Sequence, residues 1–281
     1  MRHSMAASAL RGKKKHLALV LCYLALIVFV VVAVGPFFLL LRTSLQETMS
    51  LTGQKNPTYS LINYGRLFTQ TRFPLWLLNS IVFAGGVTLL KVVFDVCAGY
   101  AFARFVFPAS RMFFGVILGT MMMPFAVAMF PVFLIVSKLG MVNTYWGLIL
   151  PMLSNPFGIF LMRQFIVGIP RELDESARID GCTDLGILVK VIMPLSRPGQ
   201  AVLAIIMFMW QWTNLIWPLI VTNTEKMFTL TVGLAGIPSQ HTVDWGLLTA
   251  GSLLSVIPIV IAFLLYQKGF IEGLTMGAVK G

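Results

Sequence analysis

Residues Leu17–Leu41 read LALVLCYLALIVFVVVAVGPFFLLL, a stretch without a single charged side chain. As a helix rising about 1.5 Å per residue it can cross roughly 30 Å of hydrocarbon, for which about 20 apolar residues suffice. Five more charge-free runs follow: Phe73–Leu90, Met112–Ser137, Leu139–Met162, Pro198–Thr224 and Trp245–Gln267. Of 281 residues, 58% are hydrophobic and 11% charged, and the mean hydropathy is +0.87. No water-soluble fold hides that much apolar surface. The expected architecture is an all-α polytopic membrane protein with six transmembrane helices at about 17–41, 75–103, 112–130, 143–163, 198–222 and 245–267.

Orientation follows from the basic residues. Arg2, Arg11, Lys13, Lys14 and Lys15 precede the first run, and positive residues near helix ends stay in the cytoplasm. Six spans then place both termini inside: a basic tail 1–16, a loop 164–197 between spans four and five, and a C-terminal tail 268–281, with an outside loop 42–74. The net charge of +11 is spread over loops, which argues against nucleic-acid binding. A secretory signal also begins basic and turns apolar, but this run is too long, and Val34-Gly35-Pro36-Phe37 offers no small-residue cleavage site. Cys22, Cys97 and Cys182 are odd in number and unpaired in spacing, so neither a disulfide framework nor a zinc site is expected.

Along the chain, Arg42–Arg72 is rich in Thr, Ser, Asn and Gln, with Asn56-Pro57 as a turn signal. Lys91 and Asp95 stand four residues apart in span two and can neutralise one another; a transported-ion site is the alternative. Pro124 and Pro131 are expected to end or kink span three, leaving Val132–Gly140 at the outer interface, with Met121–Met123 as pliable packing. Asn143-Thr144 caps span four, which Pro151, Pro156 and Gly158 interrupt.

The loop between spans four and five holds Glu172, Asp174, Glu175, Asp180 and Asp184, half of the ten acidic residues. Pro170 suits a first helical turn and the early acids favour its positive end. Arg171/Glu175 and Asp174/Arg178 have i,i+4 spacing, Gly181 supplies the stop, and Thr183 caps a second short helix ending near Pro194. Leu173, Ala177 and Ile179 are then exposed unless something covers them.

The run Ile169-Pro-Arg-Glu-Leu-Asp-Glu-Ser-Ala-Arg-Ile-Asp-Gly181, with Val191-Ile-Met-Pro194, resembles the EAA signature of ATP-binding-cassette importer permeases. Glu175, Ala177, Gly181 and Pro194 match in type and spacing, whereas Ser176, Val191 and Met193 replace Ala, Ile and Leu. Asn79-Ser80, Ala98–Arg104, Leu139–Thr144, Trp212–Pro218 and Gly273–Gly281 are similar to the binding-protein-dependent sugar branch, of the maltose-permease smaller-subunit type. The resemblance implies a non-catalytic subunit in the cytoplasmic (inner) membrane of a prokaryote. Its partners would be a second permease, forming a heterodimer, two ATPase subunits that bind ATP-Mg, and an extracellular or periplasmic solute-binding protein; this chain would bind no cofactor.

Carried over residue by residue, a coupling helix between spans four and five holds Glu172, Asp174, Glu175, Ser176, Ala177, Arg178, Asp180 and Gly181, with Pro194 behind it. Glu175 would meet a basic group on the ATPase, and Ala177 would allow close approach. The tail positions Gly277, Lys280 and Gly281 are candidates for ATPase contact, and Gly233, Gly236 and Pro238 for a loop reaching the binding protein; His241 is simplest as a surface residue. Trp210, Gln211, Trp212, Asn214 and Trp217 combine rings with amides, either to hold a sugar or to line the pathway and pack subunits. The alternative function is an ion-coupled secondary transporter, for which only Lys91 and Asp95 are available. No glycine-rich phosphate loop, nucleophile elbow or metal-spaced histidine set supports an enzyme.

Overall fold

In hydrocarbon every backbone amide must find its partner within the segment, so a chain this apolar has helices as its natural spanning element. The computed structural model describes residues 2–47, 58–237 and 244–278. Among them the regular structure is helical, and the β pairing is one isolated antiparallel bridge, Gln46 to Tyr59. The chain divides into two compact units, Met1–Leu67 with Pro238–Leu254 and Phe68–Ile237 with Ser255–Gly281.

In the first unit α1 runs Arg2–Ser44, taking the basic tail and the apolar run into one helix. Residues 42–74, expected as loop, contain a second helix, α2 (Ile62–Gln70). Its start is tied down by Asn63, whose Nδ2 donates to the carbonyls of Ser44 (2.9 Å) and Gln46 (2.7 Å). Arg66 pairs with Asp244 at 2.5 Å, and Asp244 also accepts from the amide of Leu247. The Arg42 guanidinium donates to the Tyr59 hydroxyl and lowers that phenol's pKa, because the bond favours the phenolate. The Asn56-Pro57 turn lies outside the described residues.

The second unit is built round α3 (Phe73–Arg104), 32 residues long. Phe83 and Val87 on its first half pack with Val136, Leu148, Met152 and Trp217. Val96, Tyr100 and Ala103 on its second half pack with Met162, Ile166, Ile187, Ile192 and Leu203. At Gly99 the backbones come close: a Cβ there would lie 2.8 Å from Met162 Cβ and 2.9 Å from the Arg163 amide. Small residues at helix contacts permit such approach.

The remaining spans are broken. The stretch expected as one span at 112–130 is α4 (Ser110–Thr120) and α5 (Phe125–Lys138), bent by 101°. Pro124 is extended (φ −61°, ψ 131°) and makes the break. Pro131 does not end a helix; it sits inside α5, where it deletes one backbone bond, a loss that membrane helices tolerate. Span four is α6 (Tyr145–Ile149), a 3₁₀ turn (Leu150–Ser154) and α7 (Phe157–Val167), bent by 51° at Asn155-Pro156. Thr144 caps α6 by accepting from the Gly147 amide.

Then come α8 (Glu172–Ile179) and α9 (Asp184–Ile187), continued by a π turn (Leu188–Ile192) and α10 (Met193–Leu195). A 76° bend at Ser196 leads into α11 (Arg197–Trp212). Gln200 Nε2 closes this bend on Met193 O (2.7 Å) and Ser196 Oγ (2.9 Å). The stretch 198–222 is interrupted again at Thr213–Leu215 before α12 (Ile216–Val221). The segment after it, expected as loop, folds a helix of its own, α13 (Leu230–Ala235). Last is α14 (Trp245–Ala278). Leu19–Ser44, Phe73–Arg104 and Trp245–Leu265 are each long and apolar enough to cross a membrane, and the three bent pairs raise the candidate spans from three to six. The protein is a polytopic membrane protein.

Candidate functional site

Two places in the second unit gather the residues singled out in the sequence. The first is α8 with its surroundings. Its two expected i,i+4 ion pairs do not form. Asp174 faces inward, and its Oδ2 meets Nε of Arg104, the last residue of α3, at 2.6 Å, with both side chains largely buried. Arg104 Nη2 also donates to Ile169 O (2.9 Å). Arg171 reaches back to Ala103 O, and Arg178 pairs with Asp184 across the Gly181 turn. Ala177, expected at the surface, is buried against Ile187 and Tyr100 because it shares the inward face with Asp174.

What α8 leaves outside is a distinct set. Glu172, Glu175, Ser176 and Asp180 are exposed, and none of the three acids forms an ion pair among the described residues. Beside them Ile179 is 87% exposed, Leu185 69% and Val189 52%. Gly181 turns the chain at φ +83°, the region that favours glycine. Thr183 caps α9 by accepting from the Gly186 amide, and Pro194 is exposed in α10. The result is a short acidic helix with an apolar rim, anchored from behind by the Asp174–Arg104 pair and Ala177.

The second place is a cleft of about 570 Å³ where two helix breaks meet the end of α11. Thr120, Met121 and Phe125 line it from the α4–α5 break, Ser154, Asn155 and Phe157 from the α6–α7 break, Trp210 and Gln211 from the end of α11, and Asn214 from the break that follows. Trp210 is half-exposed and tilts against Phe157 with centroids 5.3 Å apart. Gln211 Oε1 accepts from Asn214 Nδ2 (3.2 Å). Rings and amides in one concavity suit a polyhydroxylated solute. A larger groove of about 880 Å³ between α3, α11 and α14 is walled mostly by apolar side chains, with Arg197 and Gln200 among its few polar groups.

Trp212 and Trp217, grouped with Trp210 in the sequence, are pulled away from the cleft. Trp212 is buried, stacked on Phe208, and donates to Ser255 O (3.0 Å). Trp217 is fully buried, donates to the carbonyls of Gly147 and Leu148, and meets Phe125 edge-on. Gly233 and Gly236 are not loop glycines: Gly233 lies within α13 and Gly236 caps it. A Cβ on Gly233 would lie 2.1 Å from the Trp76 ring, so this glycine admits packing. Pro238, His241, Lys280 and Gly281 lie outside the described residues, and Gly277 falls in the last turn of α14.

Sequence reading gave no role to Arg104, Asn155 or Phe157. Asn79 and Ser80, part of the family-like pattern, bind backbone: Asn79 Nδ2 donates to Lys226 O and Phe228 O (both 2.9 Å), and Ser80 Oγ accepts from the Leu230 amide (2.7 Å). They staple the return segment into α13. Asn143, at φ 61°, accepts from the amides of Asn223 and Thr224 and holds its other end. A buried asparagine in an apolar run was the available signal.

Residues 95–268 match the family described as binding-protein-dependent transport system inner membrane component. The chain is 40% identical over 225 residues to the arabinooligosaccharides transport system permease protein AraQ of Halalkalibacterium halodurans, covering 80% of this chain and 81% of that one. It is 36% identical over 253 residues to the Bacillus subtilis protein of the same name, covering 88% and 90%. To the sn-glycerol-3-phosphate transport system permease protein UgpE of Shigella flexneri it is 35% identical over 205 residues, covering 72% and 73%. Its fold matches a chain of the crystal structure of a bacterial ABC transporter involved in import of the acidic polysaccharide alginate, with TM-score 0.80 and 24% identity over 89% of this chain and 95% of that one.

Proposed function

The chain belongs to the family of binding-protein-dependent transport system inner membrane components, and on that premise we propose that it forms half of the translocation pathway of an ATP-binding-cassette importer. It is a non-catalytic membrane subunit. In this reading each bent helix pair counts as one span, both termini are cytoplasmic, and the protein lies in the inner membrane of a prokaryote. The second half of the pathway is another permease, the energy comes from ATP-Mg on two ATPase subunits, and the solute arrives on an external binding protein.

The observation that carries the reading is the division of labour in α8. Asp174 and Ala177 fix the helix to the end of α3, leaving Glu172, Glu175, Asp180 and Ile179 outward with no partner in this chain among the described residues. A rigid acidic helix backed by a buried anchor can pass on a rigid-body push from an ATPase surface. Glu175 then meets a cation there. A sugar or sugar-like solute is proposed because two relatives carry arabinooligosaccharides in their names and the cleft at Trp210, Gln211 and Asn214 offers a ring with amides. Those three are proposed for the pathway because they line that cleft, whereas Trp212 and Trp217 are buried in packing. The Lys91–Asp95 pair, which an ion-coupled carrier would need, is closed on itself and on the carbonyls of Leu153 and Asn155, which weighs against ion coupling.

Purification of the tagged chain in mild detergent tests this directly. A stoichiometric ATPase and a second permease are expected to accompany it. A lone chain that carries solute on a proton or sodium gradient would overturn the proposal.

A further inference from the structure

The break in the fourth span leaves two polar helix ends inside the bundle. The 3₁₀ turn Leu150–Ser154 ends in carbonyls, the negative end of its dipole, and α7 begins at the positive end of its own, its Phe157 amide donating to Asn155 Oδ1 (2.9 Å). Opposite them on α3 lie Lys91 and Asp95, 1% and 3% exposed. Lys91 Nζ donates to Asn155 O (2.5 Å) and Leu153 O (3.3 Å), and meets Asp95 Oδ1 and Oδ2 at 3.2 and 3.0 Å. One turn further along α3, the Asp95 carboxylate stands against Gly158 in the first turn of α7. A Cβ built on Gly158 would lie 1.7 Å from Asp95 Oδ2. The cation therefore faces the carbonyl end of the break, and the anion stands beside the first turn of α7, at the positive end of that helix, without accepting a hydrogen bond from its amides. The same break contributes Ser154, Asn155 and Phe157 to the wall of the 570 Å³ cleft.

We infer that Lys91 and Asp95 are positioning residues, a polarised clamp that fixes the broken fourth span and thereby sets the solute-facing wall of the cleft. The clamp is read from geometry; its effect on transport rests on the proposed importer function. Mutual neutralisation alone would be indifferent to which position carries which sign. A clamp matched to the two helix ends is not indifferent, because a carboxylate at position 91 would face carbonyls and an ammonium at position 95 would stand at the positive end of α7.

Sign exchange therefore provides the test, made in the complete complex in native membrane vesicles. Ser154 is replaced by cysteine in a chain with Cys22, Cys97 and Cys182 changed to serine, and its reaction rate with a water-soluble maleimide reports the break. ATP hydrolysis by the same complex reports function. The exchange Lys91→Asp with Asp95→Lys is expected to change the labelling rate, and to lower ATP hydrolysis, by at least about tenfold each. Labelling equal to the parent overturns the inference whatever hydrolysis does. Altered labelling with unaltered hydrolysis supports the clamp and sinks the importer reading of the cleft. Should the exchanged chain fail to reach the membrane, Gly158→Ala, which drives a methyl into the Asp95 carboxylate, must itself change Ser154→Cys labelling, and unchanged labelling there equally overturns the clamp.

Discussion

Gly181 sits at φ +83° with open space where a Cβ would lie, whereas Gly233, in regular helix, has the Trp76 ring 2.1 Å from that position. The two glycines answer different demands, one of backbone angle and one of room. Gly181→Val is expected to strain the turn by about 1–2 kcal/mol and to uncouple ATP hydrolysis from transport, while Gly181→Asn, which tolerates positive φ, retains coupling. Normal solute-stimulated hydrolysis and uptake in the valine variant would count against a coupling role for the turn. Gly233→Ala is expected to cost about 1–3 kcal/mol through overpacking, read as a lower thermal midpoint in detergent. Most of that loss should return when Trp76→Leu is added, since the collision is with one ring.

The helix α8 reads from sequence as a surface element held by its own charges, but its hold on the fold comes from another element. Arg104 on α3 takes Asp174, and the side chains are 7% and 12% exposed. Asp174→Asn leaves a buried guanidinium without its anion, a change of about 3–5 kcal/mol when a buried pair is broken from one side. Glu175→Gln, at an exposed position, leaves stability within about 0.5 kcal/mol and should act on coupling alone. Hydrogen exchange across 172–195 separates them: faster in Asp174→Asn, unchanged in Glu175→Gln. Equal protection in both variants would mean that the Arg104 pair does not anchor the helix. The capping residue Thr183 was legible because its role is local, a hydroxyl three residues before the Gly186 amide. The anchor was not, because Arg104 is seventy positions from Asp174 in sequence.

For the whole molecule, the side chains of α1 from Leu19 to Val34 are exposed on every face, Cys22 included. Only hydrocarbon or another apolar chain can satisfy such a helix. With Cys97 and Cys182 changed to serine, a lipid-soluble maleimide should label Cys22 in membranes and a charged one should not; labelling by the charged reagent would remove α1 from the membrane. Charge-free length and basic flanks made the membrane class and candidate spans legible, since a bilayer imposes one thickness on any segment that crosses it. The acidic run ending at Gly181 made the family legible, because its spacing is a local pattern along one short helix. Tertiary structure alone decided which aromatic residues of the fifth span face the cleft and which are packed away. Trp210 and Trp217 are chemically alike, and only the break at Thr213–Leu215 turns one outward and the other onto Gly147 and Leu148. The same holds for Lys91 and Asp95: their spacing foretold a pair, but its fit to the two ends of a broken helix needs the fourth span laid beside α3, a contact between residues some sixty positions apart.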